Sequence, residues 1–151
     1  MFGMINMSGR KLTLLSIGCF LIFLAVCLLM LRAAAPDTVE IGGDAYPLSI
    51  EGDGDIEAFI EKCGYEPAEI VSDTEVTVPK IWNAVFEEYD RLQLAQGFDL
   101  VPYKGKTARR LVYSLADGRG FAEILISGWR IIAADNCSMK PGDKAGRLIP
   151  E

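Results

Sequence analysis

Closely spaced carboxylates are the first residues in this sequence that could bind a ligand. Asp53, Asp55 and Glu57 alternate with a glycine and an isoleucine just ahead of a helical pattern, a spacing that suits a hard cation such as calcium. The EF-hand pattern is not met, because a loop that starts at Asp53 places Ala58 at its sixth position and Gly64 at its twelfth. An acidic turn that caps a helix is the favoured interpretation, with a calcium site as the alternative.

A second group of candidate residues is basic. Lys104, Lys106, Arg109 and Arg110 place four positive charges within seven residues. Such a cluster could hold an anionic partner, for instance a wall polymer or an acidic face of an envelope protein. Basic side chains on an exposed strand also discourage edge-to-edge aggregation, and neighbouring strand residues point to opposite faces. Both interpretations stay open.

Cys63 and Cys137 are the two cysteines that lie outside a long apolar stretch near the N-terminus. An even number of cysteines in an exported domain suggests a disulfide between them. Cys63 also fits the apolar face of a helix, where a thiol behaves as a small hydrophobic side chain. The bridge is therefore one of two alternatives.

The composition excludes several kinds of catalytic site. The chain has no histidine, which rules out Ser-His-Asp catalysis, Cys-His catalysis and histidine-ligated metals. Glu87 and Glu88 are adjacent and expected to be exposed, so they make a poor tuned acid–base pair. Trp82, Phe86 and Tyr89 could line a sugar-binding surface, but their helical spacing favours a core stripe. No catalytic residue and no cofactor is predicted.

These candidate residues all follow the apolar stretch at residues 12–31. This stretch carries no charge and would span about 30 Å as a helix, the thickness of a bilayer's hydrocarbon core. Arg10 and Lys11 precede it and Arg32 follows it, which predicts a cytoplasmic N-terminus and a domain outside the cell. We therefore expect an uncleaved, single-pass signal anchor in the cell membrane. A cleaved signal peptide is the alternative, since residues 33–35 are three alanines.

The charge beyond the anchor restricts the class of partner. All 21 acidic residues lie at or beyond Asp37, and three of the 15 basic residues flank the anchor, so the remainder carries a net charge of −9. Nucleic acid and anionic lipid both need a positive surface. We expect no nucleic-acid partner, and an envelope protein or a wall polymer instead.

The sequence pattern divides the chain into five parts. They are a cytoplasmic stub at 1–11, the transmembrane anchor at 12–31, a stalk and lead-in at 32–52, an extracytoplasmic domain at 53–138 and a flexible tail at 139–151. Alternating apolar residues on either side of a Gly-Gly-Asp turn in the lead-in permit a small hairpin. Glycine and proline in the last part indicate a loosely held segment.

Two helices and four strands are predicted in the domain. In chain order they are a helix at 55–63, a strand at 70–78, a helix at 79–96, and strands at 107–115, 121–127 and 129–136. Asp53 or Asp55 caps the first helix, Pro79 starts the second, and Gly64 and Gly97 end them. The second helix is expected to bury an apolar stripe that includes Val85 and to expose Asp90. The order α-β-α-β-β-β predicts an α+β fold, with both helices on one face of a mainly antiparallel sheet of about four strands.

Part of the chain resembles an uncharacterised bacterial family, domain of unknown function 4830. The resemblance rests on a proline-started helix, on Gly-Phe-Asp-Leu at 97–100, on Tyr-x-Gly-Lys at 103–106, on Gly-Tyr at 64–65 and on Ala-Ala-Asp-Asn-Cys-Ser at 133–138. It covers about residues 53–138, and the C-terminal residues depart from the family pattern. It implies a small domain behind a membrane anchor or lipoprotein signal in Gram-positive bacteria. It implies no activity and no functional residue.

The sequence thus predicts a membrane-anchored extracytoplasmic domain, and we expect a non-catalytic binding or interaction module at the bacterial cell surface. One alternative is a cell-envelope hydrolase that uses carboxylates. Another is a structural subunit of a membrane complex.

Overall fold

The computed structural model describes residues 17–27, 36–138 and 144–151. The predicted stub at 1–11 lies outside the described residues, as do 12–16 and 28–31 of the predicted anchor. Residues 17–27 are helical, and the described part of the chain contains no helix with the length and apolar character needed to cross a membrane. The anchor therefore stays a prediction. The described residues from 36 onward belong to one compact unit, separate from the N-terminal residues.

This unit is an α+β domain. Its elements are β1 (Thr38–Ile41), β2 (Asp44–Pro47), α1 (Asp53–Lys62), β3 (Pro67–Thr77), α2 (Ala84–Ala95), a 3-10 helix (Val101–Tyr103), β4 (Thr107–Leu115), β5 (Phe121–Ser127), β6 (Arg130–Cys137) and β7 (Gly146–Arg147). Strands β1 and β2 form an antiparallel hairpin, and β3 to β7 form a second antiparallel sheet in chain order. The predicted fold class and antiparallel sheet are confirmed, with five strands in the main sheet instead of about four.

Helix α1 begins two residues earlier than predicted. Gly52 is its N-cap residue, and the side chain of Asp55 reaches back from the first turn. Asp55 Oδ2 accepts the backbone N–H groups of Glu51 at 2.6 Å and Gly52 at 3.3 Å. Asp55 therefore caps the helix from inside it. Gly64 and Gly97 end the two helices with φ of +89° and +93°, as predicted.

Helix α2 begins at Ala84, so the predicted start at Pro79 is wrong. Asn83 is the N-cap residue, and its Oδ1 accepts the backbone N–H of Phe86 at 2.9 Å. The Pro79 carbonyl accepts the indole N–H of Trp82 at 3.0 Å. This bond holds a turn ahead of the helix, and the helix starts after the N-cap residue Asn83.

The inward face of α2 is more polar than predicted. Val85 is 75% exposed, whereas Asp90, expected to face water, is buried together with Gln93. Gln93 Oε1 accepts the backbone N–H of Ala134 at 3.0 Å, and Gln96 Nε2 donates to the Ala134 carbonyl at 2.9 Å. The two amides satisfy the backbone of Ala134 as another strand would, which stabilises them at this buried position, whereas Gln93 Nε2 and Asp90 Oδ1 have no hydrogen-bond partner among the described residues.

The two helices pack against opposite faces of the main sheet. Helix α1 belongs to a core cluster that includes Ile124, whereas Phe86 and Tyr89 of α2 pack against a cluster that includes Leu125. Neighbouring strand residues point to opposite faces. The prediction that both helices share one face is therefore wrong. The β1–β2 hairpin packs with α1 instead and helps to cover that face.

The predicted stalk is wrong for residues 36–52, although the hairpin foreseen within it is confirmed. Val39, Ile41, Leu48 and Ile50 are buried in the same core cluster as α1. These side chains make the hairpin and the segment after it part of the folded domain.

The predicted flexible tail is wrong for residues 144–151, whereas residues 139–143 lie outside the described part. Leu148 and Ile149 are buried in the α1 cluster. Their backbone N–H groups donate to Gln96 Oε1 at 2.8 Å and 2.9 Å. The segment is ordered because the side chain of Gln96, the C-cap residue of α2, satisfies its backbone.

Candidate functional site

The four basic residues predicted to hold an anionic partner do not form one surface. The ammonium group of Lys104 lies 3.7 Å from the ring centroid of Trp82, and that of Lys106 lies 5.4 Å from the ring centroid of Tyr103. The other two, Arg109 and Arg110, are neighbours in β4 and project from opposite faces. Each arginine is paired with carboxylates on its own side of the sheet.

Arg109 joins three elements of the fold. Its Nη1 donates to Asp53 Oδ1 at 2.7 Å, and its Nε and Nη2 donate to the Asp73 carboxylate at 3.0 Å and 2.8 Å. Asp53 is the first residue of α1 and Asp73 lies in β3, so a side chain of β4 orients both. The hydrogen bond from Arg109 lowers the pKa of Asp73, and the bonds to Asp73 and Asp53 raise the pKa of the guanidinium. The three side chains are half exposed.

This network bears on the predicted calcium ligands Asp53, Asp55 and Glu57. Asp53 is bonded to Arg109, and Asp55 is bonded to backbone N–H groups at the start of α1. A cation would have to displace both sets of bonds. The structure therefore favours the alternative interpretation, an acidic turn that caps the helix.

A shallow pocket of about 340 Å³ opens beside the Arg109 network. Its polar lining residues include Asp53, Glu75, Arg109 and Thr107. Its aromatic component is Trp129, which is 75% exposed. We call this site, defined by these five residues, the Trp129 pocket. It brings together two residues that the sequence marked for different reasons, Asp53 and Arg109.

The hairpin that carries Trp129 explains its exposure. Strands β5 and β6 are joined by a two-residue turn, Gly128–Trp129, in which Gly128 has a φ of +61°. The Trp129 carbonyl accepts the backbone N–H of Ile50 at 2.9 Å, and Ser49 bridges to Arg130. The backbone is held on both sides while the indole projects outward. The turn therefore presents the ring from a fixed position.

The pocket combines an aromatic surface with oriented polar groups. A sugar ring can place its apolar face on the indole while its hydroxyls donate to the carboxylates and accept from the guanidinium. Three carboxylates, those of Asp53, Asp73 and Glu75, stand against the single positive charge of Arg109. This balance suits a neutral or cationic ligand and disfavours an anionic one. An ammonium group would also be attracted to the indole face.

A second group of polar side chains lies on the opposite face of the sheet. Arg110 Nε donates to Glu123 Oε1 at 2.7 Å, and the hydroxyl of Tyr89 donates to Asp135 Oδ1 at 2.9 Å. Asp135 is only 2% exposed. Burial raises the pKa of Asp135 to about 7, and the negative charge of Glu123 contributes to the rise.

These groups border a mainly apolar cleft of about 310 Å³ between α2 and the sheet. Tyr89, Arg110 and Glu123 line the cleft, whereas Asp135 lies behind Tyr89 and does not. Within the described residues, the ligand atoms of Glu123, Asp135 and Cys137 come within 4.8 Å of one another. The neighbouring guanidinium of Arg110 disfavours a metal cation there.

Cys63 and Cys137 do not form the disulfide that the sequence permitted. Cys63 is buried in the α1 cluster, whereas Cys137 lies beside Asp135 on the other face of the sheet. Burial raises the pKa of the Cys63 thiol to about 12. The interpretation of Cys63 as a small core side chain is confirmed.

Trp129, Glu75 and Thr107 are the site residues that sequence reasoning missed. The predicted strand at 129–136 makes Trp129 a strand residue, whereas the structure places it in the turn. Glu75 and Thr107 lie in the predicted strands at 70–78 and 107–115, which carry no signal of a pocket at these two positions. A glycine followed by a large aromatic residue at the tip of a hairpin is the signal that could have identified Trp129.

Comparison with protein-family models, with curated proteins and with solved structures finds no match to this chain. The resemblance to family 4830 accordingly stays an expectation from the sequence.

Proposed function

We propose that this chain is a membrane-anchored, non-catalytic binding module, and that its Trp129 pocket recognises a sugar-containing polymer of the bacterial cell envelope. The observation that carries the proposal is the exposed indole of Trp129, held by its backbone beside the Asp53–Arg109–Asp73 network. The location outside the cytoplasm rests on the apolar stretch at 12–31 and its flanking charges.

The position of Trp129 favours a ligand over a structural role. Burial of an aromatic side chain stabilises a fold by about 1.5–3 kcal/mol, and an indole that is 75% exposed contributes little of this. A hairpin turn of this kind accepts a small polar residue equally well. A large aromatic residue at this site is therefore explained by contact with something outside the domain.

The openness of the pocket favours a polymer over a free sugar. One sugar ring on one indole, with a few exposed hydrogen bonds, makes a weak complex. A polymer offers the same unit many times, and an anchored domain stays close to it. Repeated units and high local concentration raise the overall affinity without any new contact.

The test is binding of the full-length chain, in detergent, to purified cell-wall polymer by co-sedimentation. We expect Trp129→Ala to weaken binding at least tenfold, because the apolar contact is lost. Trp129→Tyr, which keeps an aromatic ring, should retain part of the binding affinity. Ile81→Ala is the matched control, since Ile81 is an apolar residue that is 89% exposed and lies outside the pocket. Equal binding by Trp129→Ala and the parent chain would contradict the proposal.

Fluorescence adds a direct readout of the pocket. The chain has two tryptophans, so Trp82→Phe leaves Trp129 as the only indole. Soluble oligosaccharides prepared from the polymer should then change its emission and protect it from acrylamide. An unchanged spectrum at saturating polymer would show that the indole is not at the binding site.

The rival function is a hydrolase that uses carboxylates, and one observation favours it. Glu123 and Asp135 are close, and the pKa of Asp135 is raised to about 7, as expected of a general acid. Asp135, however, does not line the cleft. Our proposal predicts no release of reducing ends from wall polymer. Release that disappears in Glu123→Gln would establish the hydrolase instead.

A further inference from the structure

The outer side of strand β3 is an unpaired sheet edge. Strand β3 pairs with β4, and within the described residues no strand pairs with its other side. Register shifts interrupt the ladder around Ile70, whereas residues 72–77 pair regularly with β4. This half of β3 is therefore a regular strand with one free side.

The hydrogen bonds of Val78 show which backbone groups face outward. The Val78 N–H donates to the Lys106 carbonyl at 3.0 Å, so Val78 faces β4. In an antiparallel pair, every second residue faces the partner strand. The N–H and C=O groups of Asp73, Glu75 and Thr77 therefore point away from the sheet. They are available to a further strand.

The charge around this edge is strongly one-sided. Residues 51–75, which span α1 and most of β3, include nine acidic side chains and one basic side chain. Asp73 and Glu75 project to the same face as their cross-strand neighbours Leu111 and Arg109. Arg109 pairs with Asp73, whereas Glu75 forms no ion pair among the residues that the structure describes.

We infer that the free edge of β3 binds an extended basic segment of a partner protein, which adds to the main sheet as a sixth strand. Backbone hydrogen bonds to Asp73, Glu75 and Thr77 supply the register-fixing contacts. Lysine or arginine at alternate positions of the segment lies opposite Asp73 and Glu75. Pairing of two copies through this edge is disfavoured, because it would place carboxylates opposite carboxylates.

The probe is a ten-residue peptide of alternating lysine and threonine, measured by fluorescence anisotropy against the full-length chain. In the expected register the lysine N–H groups face β3 and the threonine N–H groups face away. Methylation of the backbone nitrogens of the lysine residues should weaken binding about tenfold, because backbone hydrogen bonds are lost while the charge of the peptide stays the same. Methylation of the backbone nitrogens of the threonine residues is the matched control and should leave binding unchanged.

Two protein variants distinguish peptide binding at the β3 edge from general electrostatic attraction to an acidic domain. Glu75→Gln should weaken binding of the peptide about threefold. Glu87→Gln removes an exposed carboxylate from α2 and should have no effect. Equal binding by the two methylated peptides, or equal effects of the two variants, would overturn the proposal.

Amide hydrogen exchange locates the peptide directly. The N–H groups of Asp73, Glu75 and Thr77 should exchange quickly in the free protein and slowly with the peptide bound. The absence of protection at these three positions would overturn the proposal as well. Trp129→Ala should leave peptide binding intact, so failure of the edge and failure of the Trp129 pocket are distinguishable.

Discussion

Asp135→Asn should make the domain more stable at alkaline pH and leave its stability almost unchanged at acidic pH. Asp135 is 2% exposed, accepts the Tyr89 hydroxyl at 2.9 Å, and lies near the carboxylate of Glu123. Burial, helped by that second negative charge, raises its pKa to about 7. Asparagine has a similar shape, can accept the same hydrogen bond and carries no charge.

The magnitude follows from the difference in proton affinity between the folded and unfolded chain. A carboxyl whose pKa rises from 3.8 to about 7 holds its proton about a thousandfold more tightly when folded, which corresponds to about 4 kcal/mol. Below about pH 4 both states are protonated, and the group has no effect. As the pH rises toward 7, the unfolded chain releases the proton and the folded chain keeps it, so stability falls. Above about pH 7 the loss is complete.

The assay is urea unfolding of the full-length chain, followed by circular dichroism from about pH 4 to about pH 8. The quantity to plot is the free energy of unfolding of Asp135→Asn minus that of the parent. We expect this difference to be about 0.5 kcal/mol at about pH 4 and to approach about 4 kcal/mol at about pH 8. Subtraction cancels the contribution of groups that make stability rise with pH. Asp73 and Asp117 are such groups, because Arg109 and bonds from Arg119 lower their pKa values.

The control is Glu87→Gln, which makes the same change of charge at an exposed position of α2. Its difference curve should stay within about 1 kcal/mol over the whole pH range, because an exposed carboxylate in the first turn interacts only weakly with the helix dipole. A flat curve for Asp135→Asn would refute the reasoning, as would a variant that is less stable than the parent at about pH 8. Either result would mean that the buried carboxylate is stabilised by its neighbours and not destabilised by burial.

Three further predictions concern packing and reactivity. Gln96→Ala should lower the free energy of unfolding by about 3 kcal/mol in urea unfolding, because two buried N–H groups and one carbonyl lose their hydrogen-bond partner. The control is Arg91→Ala, at an exposed position of α2, which should lower it by less than about 0.5 kcal/mol. Gly120→Ala should lower the melting temperature markedly, because its φ is +107° and a Cβ would lie 2.6 Å from the Cys137 carbonyl oxygen, whereas Gly54→Ala, in open space, should not. The thiol of Cys63 should react with iodoacetamide far more slowly in the folded chain than in urea, since it is buried and its pKa is raised to about 12; equal rates would contradict its burial.

The sequence identified the elements whose signals are local. The predicted bounds of β4 and β5, 107–115 and 121–127, are confirmed, because turns that contain Gly118, Gly120 and Gly128 mark the strand ends. The two helix ends at Gly64 and Gly97 were also predictable, since glycine readily adopts positive φ. The start of α2 was not. Proline at a first helical turn and asparagine at an N-cap are both good signals, and only the folded chain decides between them.

Features that depend on distant parts of the chain were missed. The order of the C-terminal segment comes from Gln96, whose amide lies on α2, and no local pattern reveals that contact. Asp53 and Arg109 were marked separately, one as a calcium ligand and the other as an anion-binding residue. They are 56 positions apart, and their pairing disfavours both of those roles. The sequence thus identified two residues of the site but not the pairing between them.

The shared core of the β1–β2 hairpin and the C-terminal segment has a consequence for the timing of folding. Val39 and Ile41, near the start of the domain, occupy the same cluster as Leu148 and Ile149. A ribosome releases these two pairs at opposite ends of domain synthesis, so the cluster cannot close before Leu148 and Ile149 have left the ribosome. Contacts this distant in sequence also slow the search for the native state. We therefore expect the domain to fold after its last strand is released, and to need protection from aggregation until then.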